Sequence, residues 1–560
     1  MIEALHPTAL LFAGALAAPL LRGRGQRGWL LLVPALVIFA VFTLSHGEYG
    51  ARTFMGLELS PMRVDALSLV FASVFAIITL VGAIYALHLK DTTQHDAALI
   101  YAGAALGVVF AGDLLTLYVF WELMVFSSVW LIWCRRNPVS MAAGYRYLLV
   151  HAFGGVVLLA GIILYYQQTG TLDFGVIESG GPAFYLILFG FMVNAAVPPL
   201  HAWLADAYPE ATITGAIFLS ALTTKTAVYT LIRGYPGTEL LVWFGVVMAL
   251  WGVVYAVLAN DIRRLLAYHI ISQVGYMVAA VGMGTLIALN GASAHAFTHI
   301  LYKALLFMGA GAVIHMTGKA KLTELGGIYR YMPITLLLYM VGAFSISAFP
   351  LFSGFVSKTM VVEAAALDGR AAVWLLLSLA SAGTFLHTGL KLPWFTFFAQ
   401  DSGLRPKEAP LNMLIAMGIA AFMCVFIGVY PEWLYAMMPA PVDYNAYTAG
   451  HVLWELQLLL FTGVGFFVLL RHLGGEAKIS VDTDWTYRRA LPAAAGAVQR
   501  VGGRLWHGLL DGFMRRFNAL LTGLSEHHGP KGLLSRTWPT GSMLLWVAVL
   551  LAVFMLLRYV

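Results

Sequence analysis

The sequence predicts an all-α polytopic membrane protein, and three observations lead to this prediction. Hydrophobic residues make up 60% of the 560 residues and charged residues only 11%, whereas soluble domains average roughly 45–50% and about 25%. A transmembrane barrel would alternate apolar and polar residues, which this chain does not do. Apolar windows long enough to cross a bilayer (about 20 residues each) recur along the whole chain. The sixteen windows lie near 4–22, 28–46, 64–88, 96–112, 113–134, 142–167, 183–204, 212–233, 238–259, 262–288, 291–317, 333–366, 371–399, 411–432, 451–472 and 542–559.

Basic residues in the loops predict the orientation of these spans. With sixteen spans, the basic residues named at the end of this paragraph share one side, which the positive-inside rule assigns to the cytoplasm. The loops at 168–182 and 433–450 carry no Lys or Arg and fall on the other side. We therefore expect a multi-pass protein of the cell inner (plasma) membrane with both termini outside, and the net charge of +6 gives no reason to expect nucleic acid. The residues that define the cytoplasmic side are Arg22, Arg24, Arg27, Lys90, Arg135, Arg136, Arg263, Arg264, Lys319, Lys321, Arg330, Arg405 and Lys407.

Two spans are predicted to be broken near mid-membrane. Span seven contains Pro198-Pro199, and span twelve contains Pro350 and Gly354. Proline removes a backbone donor and glycine weakens a helix, so both breaks free polar backbone inside the membrane. The breaks are five spans apart, so the two helices run in opposite directions. Interrupted helices at matching positions of inverted repeats indicate a transport site; the alternative is that the prolines only kink their helices.

The spans and breaks divide the chain into successive parts. They are spans one to three (1–95), the first inverted repeat (spans four to eight, 96–233), the second inverted repeat (spans nine to thirteen, 238–399), spans fourteen and fifteen (411–472), a cytoplasmic insert (473–541) and a final span (542–560). In the insert, apolar residues at helical spacing predict an amphipathic helix along the membrane surface, and a poorly ordered basic linker is the alternative. These apolar residues are Val498, Val501, Leu505, Leu509, Phe513, Phe517, Leu520 and Leu524.

Span eleven carries the clearest set of ionisable residues. His295, His299 and Lys303 follow the spacing i, i+4, i+8, which stacks them on one helical face. An ionisable group inside the membrane is a candidate for function by default, and histidine exchanges protons near neutral pH. A single histidine is more often a satisfied core residue. Three residues in register, one of them a lysine, favour a proton pathway instead.

Three further ionisable residues lie deep in other spans. Glu122 is in the middle of span five, where it would be protonated if unpaired and could ionise beside a cation. Lys225 lies deep inside span eight, too far from either end to reach the headgroups easily. Lys358 follows the break in span twelve, where freed backbone carbonyls could hold its ammonium group. We expect all three on an ion pathway.

Other polar residues are weaker candidates for the pathway, because a structural role explains them equally well. Asp113, Asp206 and Glu210 lie near span ends and are expected to be solvated or capping residues. The weaker pathway candidates are His151, Asn194, His201, His269, His387 and Lys391.

Several stretches between about 110 and 360 match one family in their order as well as their content. They are Gly112–Glu122, Pro199–Asp206, Lys225–Tyr229, Asp261–Tyr268 with Ser272–Gly275, His295–Phe307 and Ser353–Lys358. Together they resemble the antiporter-like proton-translocating subunits shared by NADH:quinone oxidoreductase (complex I), membrane-bound hydrogenases and Mrp-type Na⁺/H⁺ antiporters. Within that family the chain looks most like the D-type subunit of the Mrp antiporters.

The resemblance implies a fold and a site. The fold is a 14-helix antiporter-like core of two inverted five-helix repeats, spans 4–8 and 9–13, with broken helices 7 and 12. Two C-terminal spans follow, with a cytoplasmic insert between them, and are similar to the end of the largest antiporter-like subunit of complex I. The implied site is a central polar axis formed by Glu122, Lys225, the His295–Lys303 face and Lys358.

At one position the chain departs from this family. The family pattern has a lysine seven residues before the His of Pro-Leu-His-x-Trp, and here that residue is Asn194. In the family that lysine pairs with the glutamate of helix five, so the resemblance implies that Glu122 lacks its usual partner. We hypothesise that His151, one helix away, supplies a substitute cation.

These observations predict a proton- and cation-translocating membrane subunit of a multisubunit complex, exchanging H⁺ for Na⁺ or K⁺. Its expected partners are other membrane subunits and lipids, and no catalytic, cofactor-binding or metal residue is predicted. One alternative is a proton-pumping subunit of complex I or a membrane-bound hydrogenase. Another is a non-conducting membrane anchor for a soluble enzyme, and a third is a b-type cytochrome with His295 and His299 near a haem.

Overall fold

The computed structural model describes residues 6–178, 180–474, 481–529, 532 and 538–559. Within these residues, helices account for almost all regular structure. They are α1 Pro7–Ala17, α2 Gly23–Thr43, α3 Ala66–Ala86, α4 Thr92–Phe110, α5 Leu114–Trp133, α6 Pro138–Thr169, α7 Gly181–Asn194, α8 Ala202–Ala207, α9 Gly215–Ala221, α10 Thr223–Gly234, α11 Glu239–Leu258, α12 Ile262–Met283, α13 Leu286–Thr317, α14 Pro333–Ile346, α15 Ser353–Leu367, α16 Ala371–Thr384, α17 Leu411–Val429, α18 Glu432–Tyr435, α19 Ala449–Val468, α20 Leu470–Leu473, α21 Leu491–His528 and α22 Thr540–Tyr559.

The only strands in the described ranges form two small antiparallel sheets before α3. Strand β1 (Gly47–Tyr49) pairs with β4 (Met62–Val64), and β2 (Arg52–Phe54) pairs with β3 (Leu57–Leu59). The chain is therefore mostly helical, as predicted.

Twelve helical segments of the described chain are long and apolar enough to cross a membrane. The other four predicted spans fall on α1, on α4, and on the two broken helices α7–α8 and α14–α15. The helical membrane fold predicted from the sequence is confirmed. The twelve segments are Gly23–Thr43, Ala66–Ala86, Leu114–Trp133, Pro138–Thr169, Gly215–Gly234, Glu239–Leu258, Ile262–Met283, Leu286–Thr317, Ala371–Phe398, Leu411–Val429, Ala449–Val468 and Thr540–Tyr559.

The helices of the two repeats correspond to one another. α6 and α13 are both 32 residues long, and both end at a glycine in the left-handed conformation, Gly170 and Gly318. Asp113 caps the N-terminus of α5, and Asp261 caps that of α12. The offset from 113 to 261 and from 170 to 318 is the same, 148 residues. The local structure of the first repeat is thus reproduced in the second.

The two predicted breaks have matching backbone geometry. α7 and α14 are both 14 residues long, and the chain then turns through Ala196 (φ 56°) and Ala348 (φ 58°). In each case the next N–H donates to a carbonyl five residues earlier, at 3.1 Å. This bond satisfies one of the carbonyls freed at a helix end, as in the Schellman motif. The chain resumes as α8 and α15.

Spans eight and thirteen contain interruptions that the sequence did not predict. Span eight is interrupted at Leu222 (φ −97°, ψ −66°), between α9 and α10. Span thirteen changes from α-helix to π-helix over Phe385–Lys391 and again over Trp394–Phe398. No proline or glycine marks Leu222, so composition alone gives no signal there. Both interruptions lie beside predicted site residues.

Residues Met1–Thr483 form one compact unit whose middle helices are enclosed by the others. The most apolar windows of Gly215–Gly234 and Ile262–Met283 are entirely buried, and that of Leu286–Thr317 is 94% buried. By contrast, the window of Ala449–Val468 is 17% buried. Polar side chains on α10, α12 and α13 therefore contact protein and not lipid.

Residues Asp484–Val560 form a second compact unit. In it the single helix α21 runs for 38 residues, so 491–528 is helical and not an irregular linker. Its apolar side chains are exposed, Val498 and Leu509 by 71% and 70%. α22 is apolar and long enough to cross a membrane.

Candidate functional site

Lys225 lies just after the interruption between α9 and α10. Its Nζ donates hydrogen bonds to the carbonyl oxygen of Ser220 (2.6 Å) and to the hydroxyl of Thr224 (3.2 Å). The side chain has no solvent exposure. The interruption at Leu222 frees carbonyls that a continuous helix would use internally, and one of them holds the lysine. The interruption of the helix thus provides a hydrogen-bond acceptor for the buried amine of Lys225.

His295 is held from two neighbouring helices. Its Nδ1 lies 3.2 Å from the hydroxyl of Ser357 on α15, and its Nε2 lies 3.2 Å from Oε1 of Gln273 on α12. Thr298 lies 2.7 Å from the same Ser357 hydroxyl. These neutral partners fix the ring, and none of them competes for a proton as a carboxylate would. Gln273 was not predicted, because an uncharged amide in an apolar span carries little signal.

His299 has a different environment from His295, one helical turn away. Its ring lies 6.1 Å from that of His295 and 5.3 Å from that of Tyr302. Neither ring nitrogen has a hydrogen-bond partner among the described residues. Burying an imidazole with neither nitrogen hydrogen-bonded lowers the stability of the folded protein. A water molecule or a transiently approaching side chain would supply the missing hydrogen bonds.

Lys303 contacts a second imidazole. Its Nζ lies 3.0 Å from Nδ1 of His269 on α12, and Nε2 of His269 lies 3.3 Å from the hydroxyl of Thr384. In the tautomer whose Nδ1 accepts from Lys303, Nε2 carries the proton and donates to Thr384. The ring of His387 is 4.9 Å from that of His269. The structure thus brings together residues that sequence spacing treated as separate.

His387 and Lys391 both lie on the π-helical part of span thirteen. Nδ1 of His387 is 2.7 Å from the Thr388 hydroxyl. Nζ of Lys391 donates to the carbonyls of Val257 and Ala259, at the end of α11. Carbonyl oxygens freed at a helix C-terminus attract cations, so a structural role explains Lys391 well.

The side chain of Glu122 packs against α6 at Gly155, a residue without a side chain. A Cβ atom at Gly155 would be only 1.9 Å from its Oε1. Within the described chain this oxygen is buried and makes no hydrogen bond. The offset of 148 residues equates Gly155 with Lys303. The first repeat therefore has no side chain where the second has a lysine, and the carboxyl group of Glu122 lies against that position.

His151 and Asn194 contact each other directly. Nδ1 of His151 lies 2.7 Å from Oδ1 of Asn194, and both side chains are buried. The ring packs against Tyr147 and Trp203, with centroids 4.2 and 4.4 Å away. Asn194, at the position where the resemblance implies a lysine, therefore contacts His151, and Nδ1 of His151 faces Asn194.

Lys358 is not held by carbonyls of the broken helix, contrary to expectation. Its Nζ is buried and has no hydrogen-bond partner among the described residues. It lines a cavity that it shares with Glu455 of α19. Glu455 was not among the predicted site residues, although a carboxylate inside an apolar span is the kind of signal that marks intramembrane sites.

His201 is paired with a residue from the start of the insert. Its Nε2 donates to Oδ1 of Asp482 (3.2 Å), while the hydroxyl of Tyr268 donates to Oδ2 (2.8 Å). Burial would raise the pKa of Asp482, but hydrogen bonds from His201, Thr483 and Tyr268 hold that pKa below its usual value. The group is therefore a carboxylate. It ties residues 481–483 to the break after α7.

The residues near span ends are mostly ion-paired or capping. Asp113 caps α5 as expected. Glu210 pairs with Arg135. Asp206 is only 4% exposed and forms two hydrogen bonds with Arg146 (2.6 and 2.8 Å), so it is not a solvated residue.

We expect replacement of Asp482 by alanine to destabilise the protein. Removing the carboxylate leaves buried donors on His201 and Tyr268 without this acceptor, a loss of about 1–3 kcal/mol. The midpoint of thermal unfolding of the purified protein should fall. Asp443→Ala, at an exposed loop carboxylate, should leave the midpoint unchanged. Equal midpoints for both variants would contradict the prediction.

Taken together, the structure connects the second-repeat residues most closely. Gln273, His295 and Ser357 form one group, and Lys303, His269 and Thr384 form another on the same face of α12 and α13. α10, which carries Lys225, packs against both helices. Glu122 with Gly155 and His151 with Asn194 lie in the first repeat. The arrangement can hold and pass protons, and none of these groups is a nucleophile activated by a base.

Comparison with known proteins shows which family and which proteins the chain is similar to. The family model described as NADH:quinone oxidoreductase/Mrp antiporter, TM matches residues 111–386. The chain is 32% identical over 473 residues to the A-type subunit of a Na(+)/H(+) antiporter from Alkalihalophilus pseudofirmus, covering 73% of this chain and 58% of that protein. It is 27% identical over 421 residues to Hydrogenase-4 component B of Escherichia coli, covering 67% and 63%. The antiporter relative is of the A type, which corrects the expected likeness to the D type.

The chain spans about three fifths of the length of these curated relatives. Among solved structures, it superposes on a chain of the membrane-bound sulfane sulfur reductase (MBS), an archaeal respiratory membrane complex, with a TM-score of 0.73. The superposition covers 99% of this chain and 100% of that one at 23% sequence identity. This likeness shows the fold.

Proposed function

We propose that the protein is a proton- and cation-translocating membrane subunit of a multisubunit complex, because residues 111–386 match the family model described as NADH:quinone oxidoreductase/Mrp antiporter, TM. Its partners are other membrane subunits, and the ions exchanged are H⁺ and Na⁺ or K⁺. The observation that carries the proposal is the direct contact of Lys303 with His269, 3.0 Å apart and fully buried. A buried amine whose partner is an imidazole and not a carboxylate lowers the stability of the fold. A role in proton transfer explains why the protein would keep such a group.

The proposed pathway runs across the buried helices. A proton on Lys303 passes to Nδ1 of His269, leaving a neutral amine, and the imidazole passes a proton on through Nε2. His299, one turn from Lys303 on α13, offers two unpaired nitrogens toward Lys225 through water. The lysines thereby alternate between charged and neutral forms. Lys225 depends on the Ser220 carbonyl to hold its charged form.

Glu122 is proposed as the acidic group of the first half. It occupies the space over Gly155, and His151, which contacts Asn194 of α7, lies one helical turn from Gly155 on α6. A protonated His151 would stabilise an ionised Glu122 through this short separation, because opposite charges favour each other's charged forms. The hypothesis of a substitute cation is therefore kept, with Asn194 orienting the imidazole.

The test is ion transport by the complex that contains the chain. The complex is isolated in mild detergent, its subunits are identified, and it is reconstituted into liposomes with an internal pH-sensitive dye. A Na⁺ or K⁺ gradient should then drive proton movement. Proton movement driven only by added reductant would assign the protein to a proton-pumping complex instead.

Replacing Lys225 with methionine should reduce this flux about tenfold or more, because an apolar side chain raises the barrier for a charge at that depth by at least about 1–2 kcal/mol. Lys407→Met, at an exposed loop lysine, serves as the control and should transport normally. Full flux through an assembled Lys225→Met complex would favour the non-conducting anchor. Reduced-minus-oxidised absorbance of the same preparation tests the cytochrome alternative.

A further inference from the structure

A polar cavity of about 140 Å³ lies between α15, α16 and α19. Lys358 and Glu455 line it, and both are buried, with 1% and 5% exposure. Neither Nζ of Lys358 nor Oε1 of Glu455 has a hydrogen-bond partner among the described residues. An amine and a carboxyl group thus line the same cavity. Burying the charged form of either group alone would cost free energy, and a nearby group of opposite charge offsets part of that desolvation cost.

The cavity has the size and lining that water requires. A water molecule occupies about 30 Å³ and needs two to four polar partners, so about four molecules fit. The hydroxyls of Ser378 and Ser381 on α16 also line the cavity, and the Ser378 hydroxyl has no hydrogen-bond partner within the described chain. Water would therefore bridge Lys358 to Glu455. An apolar cavity of this size would remain dry.

A second pair of ionisable residues lines the same cavity nearer the surface. Nε2 of His451 lies 3.2 Å from Oε2 of Glu363, and their side chains are 27% and 30% exposed. Lys358 and Glu363 are on α15, and Glu455 and His451 are on α19, so the two helices carry two opposed pairs. The inner pair is buried and the outer pair is partly open. The cavity joins them.

The remaining polar groups around the cavity are neutral or donate elsewhere. The Tyr444 hydroxyl donates to Thr359 at 2.8 Å, and the Tyr444 ring is 5.7 Å from that of His451. His451 also approaches the Asn445 carbonyl with Nδ1 (3.3 Å). Among the described lining residues, Glu455 and Glu363 carry the carboxyl groups, and Lys358 and His451 are the basic residues. The cavity lining therefore has two acidic and two basic side chains.

We propose that this cavity is the proton passage between Lys358 and the membrane face that carries the loop at 433–450. Glu455 is the carboxylate that exchanges protons with Lys358 through water, and the His451–Glu363 pair is the mouth. In outward transfer, the Lys358 ammonium loses a proton to the Glu455 carboxylate, giving a neutral amine and a carboxylic acid. Glu455 then releases that proton through water to His451 and the solvent. The proposal rests on the proposed function and adds a residue and an opening to it.

The first test asks whether the cavity opens to water, and it does not depend on transport. Ser378→Cys is introduced into the complex in a Cys134→Ser, Cys424→Ser background and treated with a charged, membrane-impermeant methanethiosulfonate. We expect labelling from the side of the 433–450 loop only. Ser73→Cys, buried on α3 and not among the residues that line this cavity, should not be labelled. If Ser378→Cys is unreactive from that side, the passage does not exist.

The second test asks whether Glu455 carries protons. Glu455→Gln should lower the flux of the reconstituted complex about tenfold or more, whereas Glu455→Asp should retain most of it and shift its pH profile. Gln457→Leu, an exposed position on the same helix, is the control and should transport normally. Unchanged flux and pH profile in an assembled Glu455→Gln complex would overturn the assignment. A wild-type complex without any ion flux would refute the proposed function, while cysteine labelling would still decide whether the passage is open.

Discussion

Replacing Lys303 with methionine is expected to abolish ion translocation while the complex still assembles. Lys303 is fully buried on α13 and its Nζ contacts Nδ1 of His269. Methionine is close to lysine in length and suits an apolar core, so the helix packing should survive. The proton would then have no carrier between His269 and the rest of α13. Flux in proteoliposomes should fall to the level of protein-free vesicles.

Lys303→Arg separates a proton carrier from a fixed charge. Arginine keeps the positive charge, but its guanidinium does not lose a proton in proteins. If Lys303 must ionise alternately, Lys303→Arg should be as inactive as Lys303→Met. Lys321→Met, at an exposed loop lysine paired with Glu324, is the control with normal flux. Substantial transport by assembled Lys303→Arg would show that the charge alone suffices.

Replacing Gly354 with alanine is expected to prevent the break in span twelve from forming. A Cβ atom there would lie 1.8 Å from the carbonyl oxygen of Ser345 and 2.9 Å from its carbonyl carbon. These are backbone atoms at the end of α14, so they cannot rotate away as a side chain would. Overpacking typically costs about 1–3 kcal/mol, and more where backbone must move. The amount of assembled protein in membranes should drop sharply.

The matched control for this variant is Gly418→Ala. Gly418 lies inside α17, and no heavy atom lies within 4 Å of where its Cβ would be. Alanine is favoured over glycine in a helix interior by roughly 1 kcal/mol, so Gly418→Ala should accumulate normally. Equal accumulation of both variants, measured by immunoblot of membranes and by size-exclusion chromatography, would contradict this explanation by packing.

The sequence was sufficient where the signal is local. Apolar windows located the helices, and Pro198-Pro199 and Pro350 located two breaks because proline acts on its own helix. The spacing of His295, His299 and Lys303 placed them on α13 because a helix has a fixed period. Their roles remain predictions.

The sequence was insufficient where the partner is distant. His201 and Asp482 are 281 residues apart, and no local pattern relates them. The contact of Lys303 with His269 depends on how α12 crosses α13, and the position of Glu122 depends on the missing side chain of Gly155 on another helix. The interruption at Leu222 arises from packing, since neither proline nor glycine adjoins it. Tertiary contacts supply this information.

The lengths of α6 and α13 have a consequence for the surrounding lipid. At 1.5 Å per residue, each 32-residue helix is about 48 Å long, whereas the hydrocarbon layer is about 30 Å thick. α13 is enclosed by other helices, but the most apolar window of α6 is only 39% buried. α6 therefore leans, extends its ends beyond the hydrocarbon layer, or is covered by stretched acyl chains. A change in bilayer thickness would therefore change the tilt of α6, the helix that carries His151, and with it the packing of the first repeat.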